Sequence, residues 1–355
     1  MKKTDQYHGR GATISPDNRY SNNQRDYFDD GWGESDSEQS KKTSTQLMID
    51  NAKSIISYNQ SPDVPFDRSI NPYRGCEHGC VYCFARPSHA YLDLSPGLDF
   101  ETKLFHKPNA AELLKAELAK KSYRCAPIAI GVNTDAYQPV EKELKLTRQI
   151  LEVLIEHKHP FYIITKSSLI ERDIDLIAEA AKNNLAQVAI SLTTLDRKLS
   201  RSMEPRAVAP QRRLQIIKRL SEAGIPVEAF IAPLIPVLND SELEKLLTTA
   251  REHGATDAIY ILLRLPREVD EIFYQWLIMH EPLKAEHIMQ RVRDMRGGKN
   301  YQAKFGQRMR GTGVFADLME QRFKLAYKKL KFPGGSELQS DIFIAPHPYG
   351  QLGLF

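Results

Sequence analysis

The sequence predicts an α/β fold. About six strand–helix units would form a partial or full β/α barrel, preceded by a disordered N-terminal tail and followed by a C-terminal helical extension. Three observations carry this. Short β-rich runs alternate with helical patterns from Phe66 onward. The runs are nearly continuous in apolar residues, as expected where both faces of a parallel sheet are covered. After Pro266 the alternation stops and charged helical segments take over. A flat doubly wound sheet satisfies the same alternation, and local pattern does not separate the two.

Residues 1–45 are rich in Ser, Asp, Asn, Gly and Lys and show no apolar period. Such a segment cannot bury enough surface to offset its ordering entropy, so it is expected to be disordered. Its aromatics, Tyr20, Tyr27, Phe28 and Trp32, either dock on a partner or are solvated. An initial strand leads into Asn71–Gly75. The next strand-like runs are Ile128–Asn133, Phe161–Thr165, Val188–Leu192, Val227–Ala232 and Ala258–Leu263. Between them, Glu141–Lys158 places Leu144, Leu151, Leu154 and Ile155 on one helix face. Gln211–Ala223 ends at Gly224, which suits a left-handed cap. Ser241 and Glu244 have the spacing of a capping box at the start of SELEKLL. The barrel is expected to span 46–266 and the helical extension 267–332, with segments at Phe273–Leu277, Lys284–Arg296 and Ala316–Lys331. Residues 333–355 read as a flexible tail.

The formal net charge is +4, which permits nucleic-acid contact without arguing for it. No apolar run approaches the roughly 20 residues that span a bilayer, and the N-terminus has no apolar stretch suited to export. The protein is expected to be cytoplasmic, with no membrane partner.

Three of the four cysteines fall within NPYRGCEHGCVYCFARP, residues 71–87, spaced Cys76-x3-Cys80-x2-Cys83. A disulfide framework would spread its cysteines; a tight cluster reads as metal binding. Cys80 and Cys83 alone could form a redox pair, which leaves Cys76 without a role. Structural zinc prefers four ligands from two separated pairs, with His78 or His89 available as a fourth. Thiolates are the usual ligands of iron–sulfur clusters. Three of them can hold three irons and leave a fourth open to a small molecule.

The motif, with Tyr82 just before its third cysteine, resembles the signature of the radical S-adenosylmethionine (SAM) superfamily. The later segments GVNTDAYQPVEK, IITKS and SMEPRAVAP resemble its spore photoproduct lyase-like branch, often labelled DNA repair photolyase-like. The resemblance covers roughly residues 60–330. It implies a partial (β/α)6 barrel and a [4Fe–4S] cluster on Cys76, Cys80 and Cys83. It also implies that the open iron chelates SAM and that a flavodoxin, ferredoxin or reductase donates the electron. One electron from the reduced cluster cleaves the cofactor's C5′–S bond, and the 5′-deoxyadenosyl radical takes hydrogen from a substrate. The branch's name-giving enzyme returns hydrogen from a cysteine at the end of the second barrel strand. Val132 stands there, and Cys125 precedes the strand, at the opposite end.

Strand ends, and the Pro-bearing loop MEPRA after the fourth inner strand, supply the other candidates. Asn133, Thr134 and Asp135 would contact the methionine amino group; Asp135 also suits a helix cap. Lys166 would hold the methionine carboxylate or lie free on the surface. Ser191 would bond the ribose or methionine part. Glu204 and Arg206 would contact ribose and carboxylate, or pair with each other. Ala232 and Pro233 would leave room for the adenine. Arg264 would meet an acidic substrate or pair with Glu268.

The substrate is a nucleic acid on one reading, and a protein side chain or metabolite on another. A third reading is an electron carrier or binding module without SAM chemistry, but the strand-end polar groups would then have no use. Arg291–Arg310 holds seven basic residues and one acid, interleaved with Tyr301 and Phe305, suited to phosphate contact and base stacking or to a solvated surface. The last residues, QLGLF, resemble the peptide by which bacterial replication and repair proteins dock on the DNA sliding clamp. Gln351 would bond at a groove rim, with Leu352, Leu354 and Phe355 as apolar anchors. The alternative is a strand packed on the protein's own surface.

Overall fold

The computed structural model describes residues 9–20, 44–335 and 337–346. In chain order the strands are β1 (Gln46–Ile49), β2 (Ile56–Tyr58), β3 (Arg68–Ile70), β4 (Tyr73–Arg74), β5 (Lys103–His106), β6 (Ile128–Ile130), β7 (Phe161–Thr165), β8 (Ala186–Ser191), β9 (Val227–Leu234) and β10 (Asp257–Leu262). The α-helices are α1 (Leu98–Thr102), α2 (Ala110–Leu118), α3 (Glu141–Leu144), α4 (Leu146–Glu156), α5 (Ile174–Ala181), α6 (Arg197–Met203), α7 (Pro210–Glu222), α8 (Leu243–Glu252), α9 (Glu268–His280), α10 (Ala285–Asp294) and α11 (Val314–Lys329).

β3, β6, β7, β8, β9 and β10 are parallel neighbours in chain order, and β2 adds antiparallel to β3. A doubly wound sheet reverses its order part-way. This one does not, so it is the open wall of a partial barrel, and among the described residues β10 does not close onto β2. A small sheet, ordered β1–β5–β4, lies beside the first crossover.

The strands form where the sequence is β-branched and apolar, and the helices cover them with one face. In α8 the buried side chains are Leu243, Leu246, Leu247 and Ala250, the spacing of a single helical stripe. Each fully buried leucine contributes about 2 kcal/mol by leaving water. Among the described residues no helix is long and apolar enough to cross a membrane.

Several expectations are corrected. Within the tail expected to be disordered, residues 9–20 lie against the domain. The Gly11 and Ala12 N–H groups donate to the Glu101 carboxylate at 2.9 and 2.8 Å, and Arg19 pairs with Glu268 at 2.7 Å. This strap is held through main-chain donors and ion pairs, which leave no apolar period to read. Tyr27, Phe28 and Trp32 fall outside the described residues. The helix expected over Glu141–Lys158 breaks at Lys145, with φ +52°. There the buried Glu141 carboxylate receives Thr147 N–H and Arg172. Asp240–Glu242 is a 3-10 turn, and Ser241 does not cap α8. Of the expected flexible tail, the described residues 333–335 and 337–346 are packed. Gly334 N–H donates to Thr256 O at 3.0 Å, Gln339 N–H to Asn184 O at 3.0 Å and Ile344 N–H to His157 O at 2.9 Å. Phe343 packs on Tyr123 and His159, covering the N-terminal ends of the strands.

Candidate active site

The cysteine loop follows β3 and lies at the C-terminal end of the parallel sheet, where barrel enzymes place their chemistry. Its backbone is fixed from several sides. Cys76 N–H donates to Phe100 O at 2.9 Å, Val81 N–H to Met203 O at 3.0 Å, and Arg206 N–H to His78 O at 3.3 Å. Gln138 brackets the first turn, accepting Glu77 N–H at 2.9 Å and donating to Gly75 O at 3.2 Å. Gly75 and Gly79 have φ of +78° and +68°. A Cβ at Gly75 would stand 2.8 Å from Phe100 O, so the tight approach requires glycine twice over. Behind the loop, Arg86 is fully buried and donates to Cys80 O at 2.9 Å and to Glu101 at 2.5 Å.

The three thiols are free; Cys76 and Cys80 are buried and Cys83 is half-buried. Burial above all raises the Cys76 thiol well above its ordinary range, and the neighbouring Asp135, Cys80 and Cys83 add to this. Burial pushes Cys80 up to about 12, with Lys166 pulling the other way. Buried thiolates therefore need positive charge beside them, which the irons of a cluster would supply. No three His, Cys, Asp or Glu side chains among the described residues are spaced for one metal ion. In a four-iron cluster each thiolate holds a different iron, so the donor set fits that group better than a single zinc.

Around the loop stand two buried carboxylates, Asp135 after β6 and Glu204 at the C-terminal end of α6, and both are spoken for. Asp135 Oδ1 accepts Thr165 OH at 2.7 Å and Tyr137 N–H at 2.9 Å; Oδ2 accepts Lys166 N–H at 2.9 Å and lies 3.3 Å from His78 Nδ1. Burial alone would raise its pKa, but His78, Lys166 and Thr165 outweigh this and hold it well below the carboxylate range. Glu204 is 1% exposed and receives Tyr82 OH, Thr193 OH and the Arg213 guanidinium. Burial is again outweighed, by Arg213 and Lys166, and its pKa falls to about 2. Asp135 and Glu204, expected to touch the cofactor, tie the cysteine loop to β7 and α7. The alternative Glu204–Arg206 pair does not form: Arg206 pairs with Glu77 at 3.1 Å.

The remaining candidates lie at or near the C-terminal ends of the parallel strands. Lys166 is half-buried at the end of β7, and no hydrogen bond of its ammonium group is found among the described residues. Burial would lower its pKa, but the charges of Cys80 and Glu204 raise it, so it stays cationic. Thr134 is buried with an unpartnered hydroxyl, and Asn133 is exposed, its N–H bound to Asn71 Oδ1 at 2.9 Å. Ser191 is buried at the end of β8, and Ala232 is half-buried in β9. Val132 follows β6 after a turn at Gly131. Cys125 precedes β6, at the opposite end, where it meets Ser340. The sequence reading missed His78 as the partner of Asp135, along with Gln138, Thr193 and Arg213. Their contacts join residues as much as 111 positions apart, as Thr193 and Tyr82 do, and no local pattern records that. Gln351, Leu352, Leu354 and Phe355 lie outside the described residues.

A family model described as the radical SAM superfamily matches residues 70–250. The chain belongs to this superfamily. Its enzymes use a [4Fe–4S] cluster and S-adenosylmethionine. Similar curated proteins are uncharacterized. One from Mycobacterium tuberculosis (strain ATCC 25618 / H37Rv) is 40% identical over 62% of this chain and 65% of its own length. One from Methanocaldococcus jannaschii is 34% identical over 49% of this chain and 62% of its own. The chain thus spans somewhat under two thirds of these relatives. Among solved structures, a spore photoproduct lyase mutant with bound AdoMet and dinucleoside spore photoproduct matches with TM-score 0.58. It is 12% identical over 81% of this chain and 79% of that one. A spore photoproduct lyase complexed with dinucleoside spore photoproduct gives 0.57 at 12% identity, over 81% and 80%. At such identity the likeness is one of fold, and this radical SAM chain shares that fold.

Proposed function

We propose that the protein is an enzyme that cleaves SAM reductively at a [4Fe–4S] cluster held by Cys76, Cys80 and Cys83, and that its substrate is a nucleic acid. The observation that carries the chemistry is the set of three free thiols in one glycine-turned loop, facing the uncommitted ammonium of Lys166. Bound there, the cluster and SAM supply a 5′-deoxyadenosyl radical that abstracts hydrogen. The chain's own groups bind and orient. Lys166 meets the methionine carboxylate, and the free hydroxyl of Thr134, beside Asn133, accepts the methionine ammonium. Ser191 and Ala232 border the nucleoside. Asp135 and Glu204 position their neighbours, and Tyr82 holds the loop through Glu204.

The nucleic-acid reading draws support from Lys299, Lys304, Phe305 and Arg310, exposed within the basic stretch. The rest of that stretch is committed: Arg291 to Asp294, Arg293 to Glu286, Arg308 to Asp63, and Arg296 to main-chain carbonyls. The reading also draws on QLGLF as a clamp-docking peptide. A cytoplasmic location and a flavodoxin or ferredoxin donor accord with this chemistry.

The test is anaerobic reconstitution, which should give about four irons per chain. SAM should then be cleaved on reduction, and label from deuterated DNA should enter 5′-deoxyadenosine. Absence of SAM cleavage by the reduced, iron-loaded protein refutes the chemistry. Label from a peptide or metabolite but not from DNA refutes the substrate. A synthetic peptide ending in QLGLF should bind purified bacterial sliding clamp, and deleting 351–355 should abolish clamp binding while iron content persists. Unchanged clamp binding after that deletion removes the docking reading.

A further inference from the structure

Arg264 stands two residues past β10, at the same end of the sheet as the cysteine loop. Its guanidinium carbon lies 4.8 Å from the ring centroid of Phe84, the residue after Cys83, and that ring is 39% exposed. Among the described residues Arg264 has no ion pair. Its Nη1 meets only Met309 Sδ at 3.6 Å, and its Nε is buried without a partner. Glu268, the acid the sequence offered it, is taken by Arg19 at 2.7 Å.

A second guanidinium lies close by. Arg296 is 2% exposed and donates to the carbonyls of Leu262, Leu263, Gln307 and Arg308, with no carboxylate among its partners. Burial, and after it the Arg264 charge, push Arg296 down to about 10, against Tyr301. Two cations thus share one neighbourhood, and among the described residues neither is bonded to an acid. Burying like charges unpaired is costly, and the arrangement is relieved when an anionic group enters between Arg264 and solvent. Arg296 is tied off by its four carbonyls and serves as fixed positive charge; Arg264 retains free donors.

We propose that Arg264 holds a backbone phosphate of the substrate at the mouth of the sheet, with the exposed face of Phe84 as the platform for the adjoining base. The guanidinium fork matches a phosphate in two-point contact, and a base stacks on an aromatic face whatever its identity. Adjacency to Cys83 brings the bound nucleotide beside the cluster loop. The inference rests on the nucleic-acid reading above and adds to it the group that is recognised and the residues that recognise it.

The experiment uses iron-loaded, anaerobic full-length protein and a short fluorescein-labelled single-stranded DNA, read by anisotropy with SAM present. Arg264→Gln should raise the dissociation constant about tenfold. It should also lower the slope of log affinity against log salt by about one. Arg264→Lys, which keeps charge but not the fork, should fall between. The same variants are measured for iron content, SAM binding by equilibrium dialysis and unfolding midpoint, so that misfolding is seen. Equal DNA affinity in wild type and Arg264→Gln overturns the proposal. Loss of SAM binding in Arg264→Gln also overturns it, because Arg264 then belongs to the cofactor. If wild type binds no DNA, the nucleic-acid reading falls and inorganic phosphate decides the anion site. A rise in the wild-type unfolding midpoint with phosphate that Arg264→Gln abolishes supports the site, and no rise overturns it.

Discussion

Replacing Glu228 by Gln should stabilise the protein at pH 8 and change little near pH 4. Glu228 is the second residue of β9, 6% exposed, near the N-terminal ends of the strands and away from the cysteine loop. One carboxylate oxygen accepts Tyr162 OH at 2.6 Å, and the other is buried with no partner. Asp257, at the start of β10, adds negative charge and is itself held by Tyr327 OH at 2.7 Å. Burial above all, against the Tyr162 hydrogen bond, raises the carboxyl from 4.5 to about 7. Between those values the folded protein keeps a proton that the unfolded chain has released, so stability falls as pH rises through the window. About two and a half pH units at roughly 1.4 kcal/mol each give a loss of about 3.5 kcal/mol, complete above pH 7. Gln keeps an oxygen for Tyr162 and never ionises. Urea unfolding under anaerobic conditions, from pH 4 to 8, should show the variant pulling ahead of wild type as pH rises. Parallel profiles, or a variant less stable at pH 8, would refute the reasoning.

Three further outcomes follow from the site. Glu204→Gln removes the acid from a buried pair with Arg213 and should cost about 3 kcal/mol in urea unfolding; unchanged stability with lost SAM binding would return Glu204 to direct cofactor contact. Gly11→Ala would set a Cβ 1.8 Å from Gly79 O, so the strap must lift off the cysteine loop; cluster absorbance should then bleach faster in air at normal anaerobic iron content, and an unchanged bleaching rate would mean the strap shields nothing. Ala at Cys76, Cys80 or Cys83 should each abolish iron loading while Cys125→Ala retains it, because Cys125 lies at the far end of β6; iron loss in the Cys125 variant would contradict that placement.

What the sequence disclosed was what repeats locally. The run FYIIT marks β7 at its observed limits, and the cysteine spacing marks the loop, because each is written in consecutive residues. Strand order was not, since the same alternation serves a doubly wound sheet; only the pairing of each strand with its chain neighbour decides it. The strap escaped notice because Gly11 and Ala12 bind Glu101 through backbone N–H groups that any residue owns. The break at Lys145 escaped because Glu141 is polar in sequence and fully buried in the fold.

The site shows the same division with a chemical consequence. Position at a strand end or in the following loop singled out Asp135, Lys166, Glu204 and Arg264 alike, but position does not say which charges are neutralised. The two acids are: Asp135 by Thr165, Lys166 N–H, Tyr137 N–H and His78, and Glu204 by Arg213, Tyr82 and Thr193. Lys166 and Arg264 are left without a directly bonded acid among the described residues. An end of the sheet whose carboxylates are consumed in holding its loops, and whose cations are not, presents positive charge outward beside three thiols. Its natural complements are anionic groups, one small enough to sit by Lys166 against the loop and one farther out at Arg264. On the reading proposed above, a methionine carboxylate takes the first position and a phosphate diester the second, and the two do not compete.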